Sequence, residues 1–256
     1  QRQAENLTRD NKAQEEQIRI IQDLNDRLKT ANDELESFSY TVSHDLRSPL
    51  RALEGYSHIL LEEYPGKLGP EGEEYLRRIN RAASRMDELI QDILAYSRVS
   101  QAEIQKQTID LDELIAEIIE QNQMIRDSRA RVSVARPLHK VTGHVACLSQ
   151  CISNLLENAV KFVPPDTAPR VAIRTELNNA FVRLWVEDNG IGIDPSFHSR
   201  IFRIFERAHV GRTYEGTGIG LAIVKKGTER MGGRVGFESQ PGQGSKFWIE
   251  LPLAAG

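Results

Sequence analysis

From Gln1 to Glu63 the chain has one proline, Pro49, and one glycine, Gly55, while Lys, Arg, Glu, Gln, Ala and Leu dominate. So long a stretch with so few breakers predicts one continuous helix. A lone helix cannot cover its own apolar residues, and their spacing indicates what does. Ile21, Leu28, Leu35 and Val42 fall seven apart, with Leu24, Ala31 and Phe38 at the intermediate positions. That is the seam of a two-stranded coiled coil, so a homodimer is expected. Before Gln17 the same positions are mostly polar.

The segment Tyr64-Pro65-Gly66-Lys67-Leu68-Gly69-Pro70 stops this helix and starts another, and Glu71 to Glu74 place acid at the new N-terminus. In the second arm Ile79, Met86 and Ile93 recur with Ala83, Ile90 and Ser97, a narrow stripe suited to a bundle. Two such hairpins make a four-helix dimer. After residues 97–107 the pattern changes. Alternating runs at Arg131 to Ala135, Val171 to Arg174 and Phe181 to Glu187 are interspersed with helical runs at Asp112 to Ile125, Cys147 to Phe162 and Leu221 to Met231. The expected fold is therefore α plus α/β: a coiled-coil helix over 1–36, a dimerisation hairpin over 37–100 and a two-layer α/β sandwich over 105–256.

The totals exclude some functions. With 33 basic and 37 acidic side chains the net charge is −4, which gives no general attraction to nucleic acid or an anionic membrane. No apolar run reaches the ~20 residues of a membrane span, and the start QRQAENLTRD lacks both a signal-peptide core and a methionine. The sequence reads as a soluble, cytoplasmic piece of a longer protein. Two cysteines, Cys147 and Cys151, fit a reducing compartment. With His144 they are read as buried thiols near a helix start, because a fourth metal ligand is missing.

Four groups of residues could carry chemistry. His44 follows Val42 by two positions, so it leaves the seam and faces outward; Pro49, five residues on, bends the helix beside it. Asp45 could hold one imidazole nitrogen and leave the other nucleophilic. In the second group Asn154, Asn158 and Lys161 fall within an arc of ~60° at ~100° per residue. Leu148, Ile152, Leu155, Leu156 and Ala159 take the opposite side. Amide oxygens suit a hard cation that bridges phosphates and lysine suits the phosphates, although a solvated helix face also fits. Third, strand alternation puts Asp188 at the end of the apolar row Val182, Leu184, Val186, with Gly190 and Gly192 beyond it. An adenine amino group would satisfy that carboxylate; a plain turn explains the glycines equally well. Fourth, Gly216-Thr217-Gly218-Ile219-Gly220-Leu221 runs into a helix whose first amides can face a phosphate, at a spacing unlike the dinucleotide fingerprint or the P-loop. Ile201, Phe202 and Phe205 anchor a mobile lid over Ala208 to Glu215.

In order and separation these groups resemble the sensor histidine kinase family across the chain after the coiled coil. The resemblance implies that His44 is the phosphoacceptor, with Asp45 its acidic neighbour. It makes Asn154, Asn158, Lys161 and Phe162 the asparagine box, with Asn158 the magnesium ligand and Phe162 in place of the more usual tyrosine near the adenine. Asp188, Gly190 and Gly192 match the first glycine box, Phe202 and Phe205 the phenylalanine box, and Gly216, Gly218 and Gly220 the second glycine box. The terminal glycine box matches Gly242, Gly244, Ser245 and Phe247. The nucleotide site implied further includes Arg207, Thr217 and Leu221. The same likeness implies ATP and Mg2+ as cofactors, a response-regulator receiver domain as partner, and an upstream sensor. The catalytic domain should share its sandwich with gyrase and heat-shock chaperone ATPases. Hydrolytic relatives carry glutamate where this chain has Asn154, which favours transfer to histidine over transfer to water. Relatives that are also phosphatases carry Thr or Asn where this chain has Ser48. A hydrolytic ATPase and a nucleotide-binding scaffold are the competing expectations.

Overall fold

A computed structural model of the chain describes residues 2–64, 66–101, 105–207, 214 and 216–254. The side chains of residues 2–13, 15, 25, 28, 29, 31–40, 44 and 101 lie outside that description. Helix α1 runs unbroken over Arg2–Glu63, with Pro49 inside it. Of the coiled-coil seam, the described Ile21 and Leu24 are exposed on the single chain; Leu28, Ala31, Leu35 and Phe38 fall among the side chains outside the description. The predicted turn follows, tied by Lys67 N donating to Tyr64 O (3.2 Å) and Gly66 N donating to Glu73 Oε1 (2.9 Å). Helix α2 (Gly69–Gln101) then folds back on α1, and Leu50, Ala83, Ile90 and Leu94 bury one another between the arms. Ile79, Met86 and Ile93 stay exposed on the other side of α2. Among the described residues no helix is long and apolar enough to cross a membrane.

The α/β domain begins with β1 (Gln107–Ile109), then α3 (Leu111–Gln121) and α4 (Gln123–Asp127). The single helix expected from Asp112 to Ile125 is thus two. Asn122 ends α3 in extended conformation while its side chain accepts from Ile125 N and so starts α4, a competition with the helical ladder that asparagine is built to win. Next come β2 (Arg131–Val134), β3 (Val141–Gly143), α5 (Val145–Lys161), β4 (Arg170–Asn178) and β5 (Phe181–Asp188). Helix α6 (Gly220–Arg230), β6 (Arg234–Ser239) and β7 (Ser245–Pro252) complete it. The main sheet has the order β2-β4-β5-β7-β6; β2 pairs parallel with β4 and every other pair is antiparallel. β1 and β3 form a separate two-stranded ribbon.

Alternation divides the sheet. Val182, Leu184, Val186, Ile249 and Leu251 face the helices and join one core with Leu148, Ile152, Leu155 and Ile223. On the outer face Arg174 lies over Trp185 (4.8 Å) and Arg183 over Trp248 (4.2 Å), cation–π contacts that cover the indoles without a second layer of helices. Leu148 is 0% exposed at the centre of this core. Leu148→Ala should therefore lower unfolding free energy by ~2–5 kcal/mol in denaturant titration, through lost burial and a residual cavity.

The two thiols are core residues: a Cβ at Gly227 of α6 would meet Cys151 Sγ at 2.6 Å and Cys147 Sγ at 2.9 Å. His144 caps α5, its Nδ1 accepting from Cys147 N (3.3 Å). α2 also meets this layer: Val99 belongs to the same core, and Arg230 Nη1 donates to its carbonyl (3.1 Å).

Candidate active site

Helix α5, the end of β5, the glycine segment before α6 and one face of α2 enclose a cavity of about 410 Å³. α5 buries Leu148, Ile152, Leu155, Leu156 and Ala159 in the core and turns Asn154, Asn158 and Lys161 to the cavity, as its projection predicts. Asn154 Nδ2 donates to Gln150 O (2.9 Å). Its Oδ1 points at α6, where a Cβ on Gly220 would lie 3.0 Å away. Phe162 ends the helix, its ring centroid 5.6 Å from that of Tyr214.

Asp188 ends the buried row of β5, and its Oδ1 accepts from Gly190 N (2.8 Å) and Ser245 N (3.0 Å). Burial outweighs these two bonds and lifts the carboxyl from its ordinary 3.8 to about 6. Gly192 has φ 70°, and a Cβ there would stand 1.9 Å from Gln240 O, so no other residue lets the strand-end loop pass so close.

At α6 the cap residue Ile219 offers no side-chain bond. Gly220 and Leu221 line the cavity with first-turn amides that have no intrahelical acceptor. Gly218 needs φ 78° and passes within 2.8 Å, measured from an added Cβ, of Glu206 O. Lys161 Nζ lies 3.3 Å from where a Cβ on Gly216 would stand. Arg207 reaches the cavity as well, with Nη2 donating to Tyr214 O (2.9 Å).

Of the nucleotide-site residues expected from the sequence, all but Gly190, Phe202, Phe205, Gly242 and Gly244 line this cavity. Gly190 is buried behind it, where a Cβ would strike Phe162 O at 2.4 Å. Phe205 is 60% exposed at φ 64° and holds the loop through its backbone, N donating to Gly218 O (3.0 Å). Ile201 and Phe202 do anchor the segment: Ile201 is buried and Phe202 packs on Phe237. The lid lies outside the described residues except Tyr214. His44 and Asp45 sit on α1; Asp45 is exposed and is not among the residues that line the cavity, and the side chain of His44 lies outside the description.

Sequence reasoning missed one wall entirely. Asp87, Glu88, Gln91 and Asp92 of α2 line the cavity, and the Thr217 hydroxyl donates to Asp92. Glu157 of α5 joins them; burial raises its carboxyl, against the opposing pull of the Asn122 Nδ2 donor at 3.0 Å. In sequence these acids look like the solvated face of a charged helix.

A hairpin of long helices followed by this sandwich, with its cavity at the sheet end, defines a class. Residues 34–102 match the His Kinase A (phospho-acceptor) domain, and residues 143–255 match the histidine kinase-, DNA gyrase B-, and HSP90-like ATPase family. The chain belongs to the sensor histidine kinases. It is similar to cyanobacterial phytochrome A of Nostoc sp., 37% identical over 227 residues that cover 88% of this chain and 29% of that protein. Phytochrome-like protein Cph1 of Synechocystis sp. is 35% identical over 227 residues, 88% of this chain and 30% of the relative. The chain thus spans under a third of the length of these relatives. Among solved structures, full-length ShkA in complex with AMPPNP superposes with a TM-score of 0.62 at 29% identity, over 85% of this chain and 46% of that one.

Proposed function

We propose that this chain transfers the γ-phosphoryl group of ATP to His44 and then to an aspartate of a response-regulator receiver domain. The observation that carries the reading is the cavity itself, closed on one side by α2, the partner arm of the helix that bears His44. Asp188 accepts from the adenine amino group, and Lys161 with the first amides of α6 holds phosphate oxygens. The residues fit a magnesium ion: Asn158 offers a neutral amide oxygen inside the cavity, as a hard cation that keeps its waters requires. Bound there, Mg2+ would neutralise charge on the β- and γ-phosphates. Asn154 cannot act as a base on water, since an amide has no basic nitrogen and its NH2 group is already donated to Gln150. The exposed Ile79, Met86 and Ile93 of α2, with Ile21 and Leu24 of α1, give a second copy its bundle and coiled-coil contacts. An upstream sensor drives the dimer through α1, and the kinase works in the cytoplasm, where Cys147 and Cys151 stay reduced.

Incubation with γ-labelled ATP and mapping by mass spectrometry tests the reading. Acid-labile, base-stable label on His44 is expected; free phosphate release would mark a hydrolase, and binding without turnover a scaffold. Asn158→Ala should reduce magnesium-dependent ATP affinity about 10-fold or more while magnesium-free binding holds, measured by titration with a fluorescent nucleotide.

A further inference from the structure

Among the described residues one ion pair joins the two arms of the hairpin. Arg47 Nε of α1 lies 3.4 Å from Asp87 Oδ1 of α2, the two side chains being 23% and 34% exposed. Both atoms are shut off from solvent, yet neither makes a hydrogen bond. The charges attract without aligning, well short of a charge-assisted bond of about 2.8 Å. A nearby tie, Ser84 Oγ donating to Glu54 Oε1 at 2.6 Å, is fully formed, so the hairpin does not lack rigid polar contacts. An Nε–H buried without an acceptor is costly, so a better-aligned anion would be favoured over Asp87 there.

Its position says which partner. Ser43 and Leu50 are buried against α2, so positions 43, 47 and 50 share the inner face of α1. Position 44 lies about 100° round from Ser43 and about 60° from Arg47, one turn before it. On the other side, Asp87 lines the nucleotide cavity. Arg47 therefore stands between the acceptor position and the cavity wall.

We infer that Arg47 is the phosphoryl-binding residue of the acceptor helix, held by Asp87 until the phosphoryl group reaches His44 and then turned onto it. This rests on the reading of His44 as phosphoacceptor. In the transfer the lone pair of one imidazole nitrogen forms the N–P bond, and the bond from phosphorus to the bridging β-phosphate oxygen breaks with its pair on ADP. The proton on the other ring nitrogen is lost to a base, the part that the family resemblance implies for Asp45. Negative charge spreads over the three equatorial oxygens, and a planar guanidinium that is always protonated binds two of them at once. A lysine carries the charge without the fork.

The test uses the full chain at saturating magnesium-ATP, with initial autophosphorylation rates, nucleotide affinity and melting temperature measured for each variant. Arg47→Gln should slow transfer about 10²- to 10³-fold with nucleotide affinity within about twofold, the scale of a lost oxyanion donor. Arg47→Lys should recover part of that loss, remaining about tenfold below the parent because the bidentate contact is gone. Asp87→Asn frees the guanidinium and should raise the rate. A parent-like rate in Arg47→Gln, a loss carried wholly by nucleotide affinity, or an Asp87→Asn variant as slow as Arg47→Gln would each overturn the inference. If Arg47→Gln does not fold, Arg47→Lys decides: an unchanged rate at unchanged melting temperature overturns it. His44→Gln separates the two levels. Label persisting in that variant removes the acceptor reading itself, whereas a dead His44→Gln beside a parent-like Arg47→Gln removes only the role of Arg47.

Discussion

His44→Gln abolishes stable phosphorylation, with initial rates down more than about 10³-fold, the scale seen when a nucleophile is removed, and leaves ATP affinity within about twofold. Glutamine keeps size and polarity at position 44, but its amide nitrogen has no available lone pair to attack phosphorus. Nucleotide affinity holds because the described residues that line the cavity come from α2, α5, β5, the start of α6 and their neighbouring loops, and none of them lies on α1. Acid-labile label and nucleotide titration on the same preparation read both halves. Undiminished label would place the acceptor elsewhere, and a parallel collapse of affinity would mean that α1 shapes the cavity.

Asp188→Asn should weaken ATP about 10- to 100-fold, the worth of a hydrogen bond to a charged acceptor, since the amide accepts less strongly and can turn a donor toward the adenine amino group. Stability should move the other way. The folded carboxyl titrates at about 6 against an ordinary 3.8, burial being the cause. With the folded value raised, the contribution to stability is fully present below the ordinary value and is lost as pH rises through the folded one. At neutral pH and above, the native protein therefore carries a buried carboxylate at a cost. Asparagine removes that cost and keeps an oxygen for Gly190 N and Ser245 N. The nucleotide-free variant should melt higher than the parent above about pH 7, with the gap closing toward about pH 4. ATP affinity of the parent should fall as pH drops through about 6, where the carboxylate takes up its proton, and that of the variant should stay flat. Melting curves and titrations across this range check both signs. A variant that loses neither affinity nor its pH dependence would remove Asp188 from base recognition.

Periodicity and local chemistry made much of this protein legible. The breaker-poor run to Glu63 specified a helix, Tyr64 to Pro70 its reversal, and the ~100° projection of α5 separated Leu148, Ile152 and Leu155 from Asn154, Asn158 and Lys161 before any coordinates. Alternation put Asp188 at the end of an apolar row, and the glycines after it and before Leu221 marked a strand end and a helix start. Such features depend on neighbours within one or two turns of chain, which is what a sequence records. Other features depend on which elements meet, and no local pattern encodes them. The break at Asn122 follows from a side chain that caps α4 and also donates to Glu157 across the domain. Phe205 reads as a buried anchor, yet its ring is exposed while its backbone N–H donates to Gly218 O and fixes the chain the other way out. The acidic wall of Asp87, Glu88 and Asp92 and the slack Arg47–Asp87 pair arise only where α2 packs against both α1 and α6. A charged residue on a long helix looks solvated in sequence whichever way it faces, and only tertiary packing decides whether water or a reaction centre lies opposite it.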